Sequence, residues 1–243
     1  MILRRIIQHV RKQEWTAIVI DLLIVVVGVY FAIQAQTWNA ARENREIERQ
    51  YLQSLHDQIS NMIEDNESRV ETNRDELIEL REVGAALEAI GEITELEKRH
   101  CNAIVSSHIY VGRISVPPTI EELITTGRLQ LIRNSAVRLA IISYSQTIEG
   151  YRQLNTDIQS DRMVLSRQYS SMITLNLLDD NDAKCDFEAM RRSLAFRNDL
   201  ADNSYRHAAY VRDVVIGQQD QRMNLHFELD RELGISHSDD LLD

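Results

Sequence analysis

Turn-forming residues are scarce in this sequence of 243 residues, which contains 8 glycines and 2 adjacent prolines, Pro117 and Pro118. Tight hairpins depend on such residues, so a fold built from many β-strands would lack its connections. Aromatic residues make up only 6% of the chain, a composition that suits amphipathic helices better than one bulky core. These scarcities predict an all-α protein.

An excess of positive charge is also absent, since the net charge is −11. Residues 40–243 contain 23 basic and 36 acidic side chains, and the chain has no Gly-rich phosphate loop. Nucleic-acid binding requires a basic surface. The composition therefore excludes nucleic acid as a partner.

What the sequence does contain is a long apolar run from Ala17 to Ala35, interrupted only by Asp21, Gly28 and Gln34. Trp15 and Trp38 flank it, about 34 Å apart on a helix. This length matches the hydrocarbon core of a bilayer, and tryptophan is typical of both membrane interfaces. We therefore predict a transmembrane helix over residues 16–38, with the lipid bilayer as a partner and the two tryptophans as interface anchors.

A secretory signal peptide is the main alternative for this segment. Its apolar region is usually shorter and ends in a small-residue cleavage site, whereas this run ends in Gln-Ala-Gln-Thr-Trp. Residues 1–12 carry four basic side chains and no acidic one. By the positive-inside rule, the tail of residues 1–15 is cytoplasmic and residue 39 onward lies across the membrane. Arginine outnumbers lysine by 24 to 3, as in many GC-rich bacteria, so we expect a bacterial inner membrane and a periplasmic C-terminal domain.

The predicted ectodomain begins with a heptad pattern that continues the transmembrane helix into a long juxtamembrane helix. Apolar residues, two asparagines and one glycine recur at alternating spacings of four and three residues: Ile59, Ile63, Asn66, Val70, Asn73, Leu77, Leu80, Gly84 and Leu87. Asparagine in such a seam can set register and oligomer number, which makes Asn66 and Asn73 candidates for that role. The other interpretation, slightly favoured, is one helix of an intramolecular antiparallel bundle with a similar apolar stripe.

The remaining helices of this bundle, residues 39–233, follow from apolar periodicity and capping signals. A capping box of Thr119 and Glu122 predicts a short helix that stops at Gly127, and Asn134 caps the next one. We expect a break near Arg197–Asn198 in the last helix and a loose tail at residues 234–243. The other predicted helices are Thr94–Val111, Ser135–Leu177 and Phe187–Leu233.

The chain offers little for catalysis or metal binding. Cys101 and Cys185 could form a disulfide in the ectodomain, with two free buried thiols as the alternative. The set His100, Cys101 and His108 fits no standard zinc pattern. The acidic stretch at 179–186 lacks the glycine and glutamate of an EF-hand, and no catalytic constellation can be argued from spacing. We predict a protein without enzyme activity, cofactor or metal.

Two stretches resemble a bacterial family of single-span membrane proteins of unknown function: DLLIVVVGVYFAIQAQTWN at 21–39 and TGRLQLIRN at 126–134. In that family an acidic residue opens the span, a glycine lies mid-helix and a Gln…Trp-Asn signature closes it. The resemblance implies the same topology and a helical ectodomain with a Gly-x-Leu-x-Leu-Ile-x-Asn turn. This chain differs in having Asp21 where the family usually has glutamate. A looser likeness, around Val19–Asp21, is to single-span subunits of Tol/Ton-type envelope motors, whose periplasmic domains are α/β.

The acid Asp21 shares one helix face with Gly28, Ala32 and Ala35, because their spacings are those of neighbouring turns. Gly28 and Ala32 form a small-xxx-small pair that lets another helix approach closely. Intramembrane acids usually face protein or water. Packing or positioning is the favoured role for Asp21, with proton relay and a polar contact to another subunit as alternatives.

Together these features predict an interaction protein that assembles as a homo-oligomer or as an accessory subunit beside a multi-span membrane protein. One competing hypothesis is a proton-coupled channel or motor partner that uses Asp21. The other is a periplasmic sensor whose bundle binds a small ligand. The short cytoplasmic tail carries no output domain, so a sensor would require a separate partner.

Overall fold

A computed structural model describes residues 15–88, 95–110, 112–160, 162–179 and 182–236. The protein is all-α, apart from one pair of two-residue strands in the described part of the chain. Helix α1 runs without a break over Trp15–Glu88. The elements after it are α2 (Lys98–Ser106), α3 (Pro118–Thr125), a 3₁₀ turn (Arg128–Leu131), α4 (Ser135–Ser160), α5 (Leu165–Gln168), β1 (Ile173–Thr174), β2 (Lys184–Cys185), α6 (Phe187–Arg192), α7 (Leu194–Ala209), a π-helix (Tyr210–Ile216) and α8 (Gly217–Leu233).

The chain divides into two units, residues 1–51 and 52–243, and the boundary falls inside α1. In the first unit, the apolar side chains from Ile20 to Trp38 are exposed. Among the described residues, α1 is the one helix long and apolar enough to cross a membrane, and its most apolar window has a mean hydropathy of 1.4 with no buried residue. An exposed apolar surface this long is unfavourable in water and suits lipid.

The second unit, from Leu52 onward, is a helical bundle. Its α4 and α8 pack against each other, and α8 follows the π-helix directly. One core cluster joins the C-terminal part of α1 to the helices and strands near the disulfide: Leu80, Val83, Leu87, Ala103, Ile104, Leu165, Ile173, Met190, Phe196 and Leu200. Another gathers around the π-helix: Ile158, Tyr210, Val211, Val214 and Val215.

The structure corrects the predicted helix Ser135–Leu177, since α4 ends at Ser160. The apolar residues Leu165, Tyr169 and Met172 fit the period of the predicted helix, but they lie in or against the core cluster that contains Phe196. There β1 pairs antiparallel with β2, and Ile173 lies opposite Cys185. Tertiary packing and the strand pair therefore override the helical period of this segment.

The capping signals have mixed outcomes. Asn134 caps α4 as predicted, with its Oδ1 accepting the Ala136 N–H at 2.9 Å, and Gly127 adopts a left-handed φ of 69° just after α3. The capping box at Thr119 is wrong, because α3 begins at Pro118 and proline supplies the favourable first position. Thr119 instead accepts a hydrogen bond from Gln58 of α1 at 2.8 Å.

Two further helix boundaries differ from the prediction. The second helix is shorter than Thr94–Val111, as α2 covers Lys98–Ser106. The last predicted helix breaks at Ser193, not near Arg197–Asn198, and the hydroxyl of Ser193 caps α7 by accepting the Phe196 N–H at 3.2 Å. Serine at such a junction satisfies a backbone donor that the new helix leaves open.

Candidate functional site

The small-residue stripe of α1 is accessible in this structure. Gly28, Ala32 and Ala35 are all exposed, and a Cβ added to Gly28 would meet nothing within 4 Å. Trp38, the predicted interface anchor, is also exposed. The side chains of Asp21 and Trp15 lie outside the described residues, although the backbone of both belongs to α1. The stripe is therefore open to another helix.

The two asparagines of the heptad seam bond within their own chain. Asn66 Nδ2 donates to Gln219 Oε1 at 3.1 Å, and Asn73 Nδ2 donates to the carbonyl of Arg69 at 2.7 Å. Asn73 is buried. The Asn66 bond joins α1 to α8, which agrees with the packing inside the bundle that the sequence slightly favoured, whereas the Asn73 bond stays within α1. A role for either residue in oligomer register stays a prediction.

Cys101 and Cys185 form a disulfide that joins α2 to β2. The neighbouring His100 is fully buried, and its two ring nitrogens contact Glu82 Oε2 and the backbone N–H of Glu97, each at 2.8 Å. The hydrogen bond from His100 holds the pKa of Glu82 below its ordinary value. Because Cys101 is oxidised and His100 is engaged on both sides, the set His100, Cys101 and His108 is not a zinc site here.

The densest group of metal-ligating side chains in the described part of the chain is one that sequence spacing did not reveal. We call His56, His226 and Asp230 the histidine cluster. His56 Nε2 lies 3.0 Å from Asp230 Oδ1, and His226 Nδ1 lies 3.0 Å from Asp230 Oδ2. The two imidazole rings stack with centroids 4.7 Å apart. One carboxylate thus faces two imidazoles, each through a separate oxygen.

Each histidine of the cluster also has an outer partner on α1. His56 Nδ1 lies 3.3 Å from Asp57 Oδ1, and His226 Nε2 lies 2.9 Å from Ser60 Oγ. The side chains of His56, His226 and Asp230 are 15%, 18% and 11% exposed, so the cluster is largely buried but still accessible to solvent. Outer hydrogen bonds of this kind orient an imidazole and select its tautomer.

Helix geometry and chain topology together build the cluster. His226 and Asp230 are one turn apart on α8 and therefore share a face. His56 comes from α1, far away in sequence, and meets them only because the first and last helices of the bundle come together. The spacing of His226 and Asp230 was the one local signal, and alone it is too common to identify a site.

A second polar group joins α7 to α1. His207 has no exposed surface, and its Nε2 lies 3.8 Å from Glu76 Oε2, while Ser106 donates a hydrogen bond to Glu76. Burial lowers the pKa of His207 and raises the pKa of Glu76. Both shifts favour the uncharged forms, because neither the imidazolium nor the carboxylate is well solvated there.

The lowered pKa of His207 predicts that stability is lost in acid. The unfolded chain binds this proton near the ordinary value of about 6.5, whereas the folded chain resists it, so protonation favours unfolding as pH falls below that value. We expect the melting temperature to drop between about pH 7.5 and pH 5.5, and His207→Gln to make that drop smaller. The pKa of His108 is also lowered by burial, so part of the drop remains in the variant. An unchanged pH dependence in His207→Gln would contradict the assignment.

The described residues thus provide three chemically distinct features: an apolar helix surface, a histidine–glutamate pair whose charged forms are disfavoured by burial, and a cluster of two imidazoles with one carboxylate. The first suits lipid or another membrane helix. The cluster has the ligand types that divalent transition metals prefer. The chain matches no protein-family model, no curated protein and no solved structure.

Proposed function

We propose that this protein is a bitopic inner-membrane protein, with a cytoplasmic N-terminus and a periplasmic helical domain, that works without enzyme activity by assembling with other membrane proteins. The continuity of α1 carries this proposal. The same helix bears an exposed apolar segment and, further along, contributes Leu80, Val83 and Leu87 to a buried core. A helix shared in this way makes the membrane segment and the bundle one covalently continuous element.

The assembly role rests on the stripe of Gly28, Ala32 and Ala35. Small residues at neighbouring turns let two helix backbones approach closely in lipid, where apolar side chains alone provide no preference for protein over lipid. The partner is a transmembrane helix, either from a second copy of this chain or from a multi-span protein. The resemblance of residues 21–39 to a family of single-span proteins implies the same topology.

Gly28→Leu is expected to dissociate the assembly, because its side chain fills the surface on which the partner helix packs. The matched control is Val26→Leu, which adds bulk on the opposite face of the same helix turn. The measurement is the mass of the full-length protein, solubilised gently from native membranes with its partners. We expect Gly28→Leu to yield a smaller species and Val26→Leu to keep the mass of the wild type.

A wild-type mass equal to one chain would overturn the assembly role. A mass equal to several copies would favour a self-assembling scaffold. A complex with a multi-span protein would favour the accessory-subunit form. Asp21→Asn would then distinguish two roles of this residue: the variant loses assembly if Asp21 serves packing, and keeps assembly but loses the activity of the complex if Asp21 relays protons.

A further inference from the structure

We propose that the histidine cluster is a binding site for a divalent transition metal and that the metal bound there is Zn²⁺. The ring nitrogens nearest Asp230 are His56 Nε2 and His226 Nδ1, and one ligand atom from each of the three residues lies within 4.8 Å of the other two. Two imidazoles and a carboxylate form a common protein donor set for zinc.

The distances fit this ion. Ligands about 2.0–2.1 Å from a tetrahedral zinc are separated from one another by about 3.3 Å. The two nitrogen–oxygen contacts in the cluster are already 3.0 Å each. Both contacts are within about 0.3 Å of that separation, so small side-chain adjustments bring each nitrogen–oxygen pair to the spacing of zinc ligands.

Hydrogen bonding around the cluster favours a cation between the imidazoles and the carboxylate. Ser60 Oγ donates its proton to the His56 carbonyl at 2.9 Å and is then an acceptor for His226 Nε2–H. In that tautomer of a neutral His226, the lone pair on Nδ1 faces the Asp230 carboxylate and repels it unless a cation lies between them. His56 lies between two carboxylates, with Asp230 Oδ1 3.0 Å from its Nε2 and Asp57 Oδ1 3.3 Å from its Nδ1.

Protons on both histidines could supply that positive charge, and so could one metal ion. Two features favour the metal. Each far ring nitrogen already contacts an acceptor oxygen, the outer arrangement typical of metal-ligating histidines. The rings are also stacked, and two imidazolium ions held face to face would repel each other.

The proposed ion joins α1 to α8, the first and last helices of the bundle. Three protein ligands leave one position of a tetrahedral ion for water or for a group from a partner, and the partial exposure of the cluster leaves room for it. Since the ion binds only the folded arrangement, it stabilises that arrangement by mass action. The role of the ion is therefore structural: it cross-links two helices that are far apart in sequence.

The test uses the full-length protein in detergent, stripped of metal with a chelator and titrated with ZnCl₂ and separately with CoCl₂. We expect one equivalent of Zn²⁺ per chain, and an increase of about 5–10 °C in melting temperature when free Zn²⁺ is about 100 times the Kd. Co²⁺ should give the visible absorption of a four- or five-coordinate ion. Its spectrum reports coordination directly and does not depend on any activity.

Variants locate the site. His226→Gln and His56→Gln should each weaken Zn²⁺ binding at least 100-fold, and Ser60→Ala about 10-fold through the lost outer hydrogen bond. The matched control is His108→Gln, which removes a histidine outside the cluster and should leave the affinity unchanged. Circular dichroism of the metal-free variants verifies that each is folded, and Asp230→Asn provides another ligand variant of nearly identical shape.

Two results would overturn the proposal. One is stoichiometric Zn²⁺ binding that persists in a folded His56→Gln/His226→Gln double variant, which would place the ion elsewhere. The other is a folded wild-type protein that shows neither a thermal shift with Zn²⁺ nor a Co²⁺ spectrum, which would mean that protons alone hold the cluster together.

Discussion

Replacing Cys101 and Cys185 together by alanine is expected to lower the free energy of unfolding by about 4.5 kcal/mol, the largest effect we expect of any change in this protein. The disulfide joins residues 84 positions apart. Without it the unfolded chain regains the conformational freedom of a long loop, and this loss of stability grows with loop length. For a bundle of this size, the melting temperature should fall by about 10–15 °C.

The local structure around the disulfide gives a reason to expect the full effect. Strands β1 and β2 are only two residues long each, and a strand pair this short is not stable by itself. Ile173, opposite Cys185, belongs to the same core cluster as Ala103 and Ile104 of α2. Removing the covalent link therefore also weakens the packing of this segment against α2.

Unfolding in denaturant, followed by circular dichroism, measures the change in the double variant. The control is the wild type treated with a reductant, which should show the same destabilisation, because the sequence is unchanged and only the bond is broken. Equal stability of the oxidised and reduced proteins would contradict the prediction. The state of the cysteines in native membranes also bears on the proposed compartment, since a disulfide persists in the periplasm but not in the cytosol.

The parts of the fold that could be predicted are those with a local cause. The shortage of glycine and proline indicated helices, the apolar run indicated a helix able to cross a membrane, and Asn134 was a clear cap. Each depends on residues close together in sequence. The end of α4 at Ser160 depends instead on packing around Phe196 and on the strand pair. Neither feature is predicted by a local sequence pattern.

The histidine cluster could not be predicted for the same reason, because it depends on a contact between residues distant in sequence. His56 and His226 are 170 positions apart, so neither one predicts the other without knowledge of how α1 and α8 meet. The expectation of no metal rested on two local patterns, zinc-ligand spacing around Cys101 and an EF-hand loop, and neither pattern tests for contacts between residues this far apart. By contrast, Gly28, Ala32 and Ala35 lie on one helix, and their shared face could be anticipated from spacing alone.

The second large effect is expected at Asn203, where Asn203→Leu should lower the free energy of unfolding by about 3 kcal/mol. Asn203 is fully buried on α7. Its Oδ1 accepts the Met163 N–H at 3.2 Å, and its Nδ2 donates to the Met163 carbonyl at 2.8 Å and to Ser107 Oγ at 3.0 Å. One side chain thus satisfies both backbone polar groups of a residue that lies between α4 and α5.

Leucine has a similar volume but no hydrogen-bonding group, so the cost comes from the polar atoms left behind. Two backbone groups of the partly buried Met163 would lose their partner, at about 1–3 kcal/mol for each group that stays buried. The matched control is Asn198→Leu, an exposed asparagine on the same helix, which should change stability by less than about 0.5 kcal/mol.

The same denaturant experiment compares the two leucine variants, and Asn203→Asp adds a test of the mechanism. A carboxylate keeps the acceptor for the Met163 N–H but loses both donors and places a charge beside the Met163 carbonyl, so its cost should decrease as pH falls and the carboxyl becomes protonated. Equal stabilities of Asn203→Leu and Asn198→Leu would show that water or a shifted loop satisfies Met163 without Asn203. A large difference would instead make Asn203 the residue that fixes where the chain turns from α4 into the core.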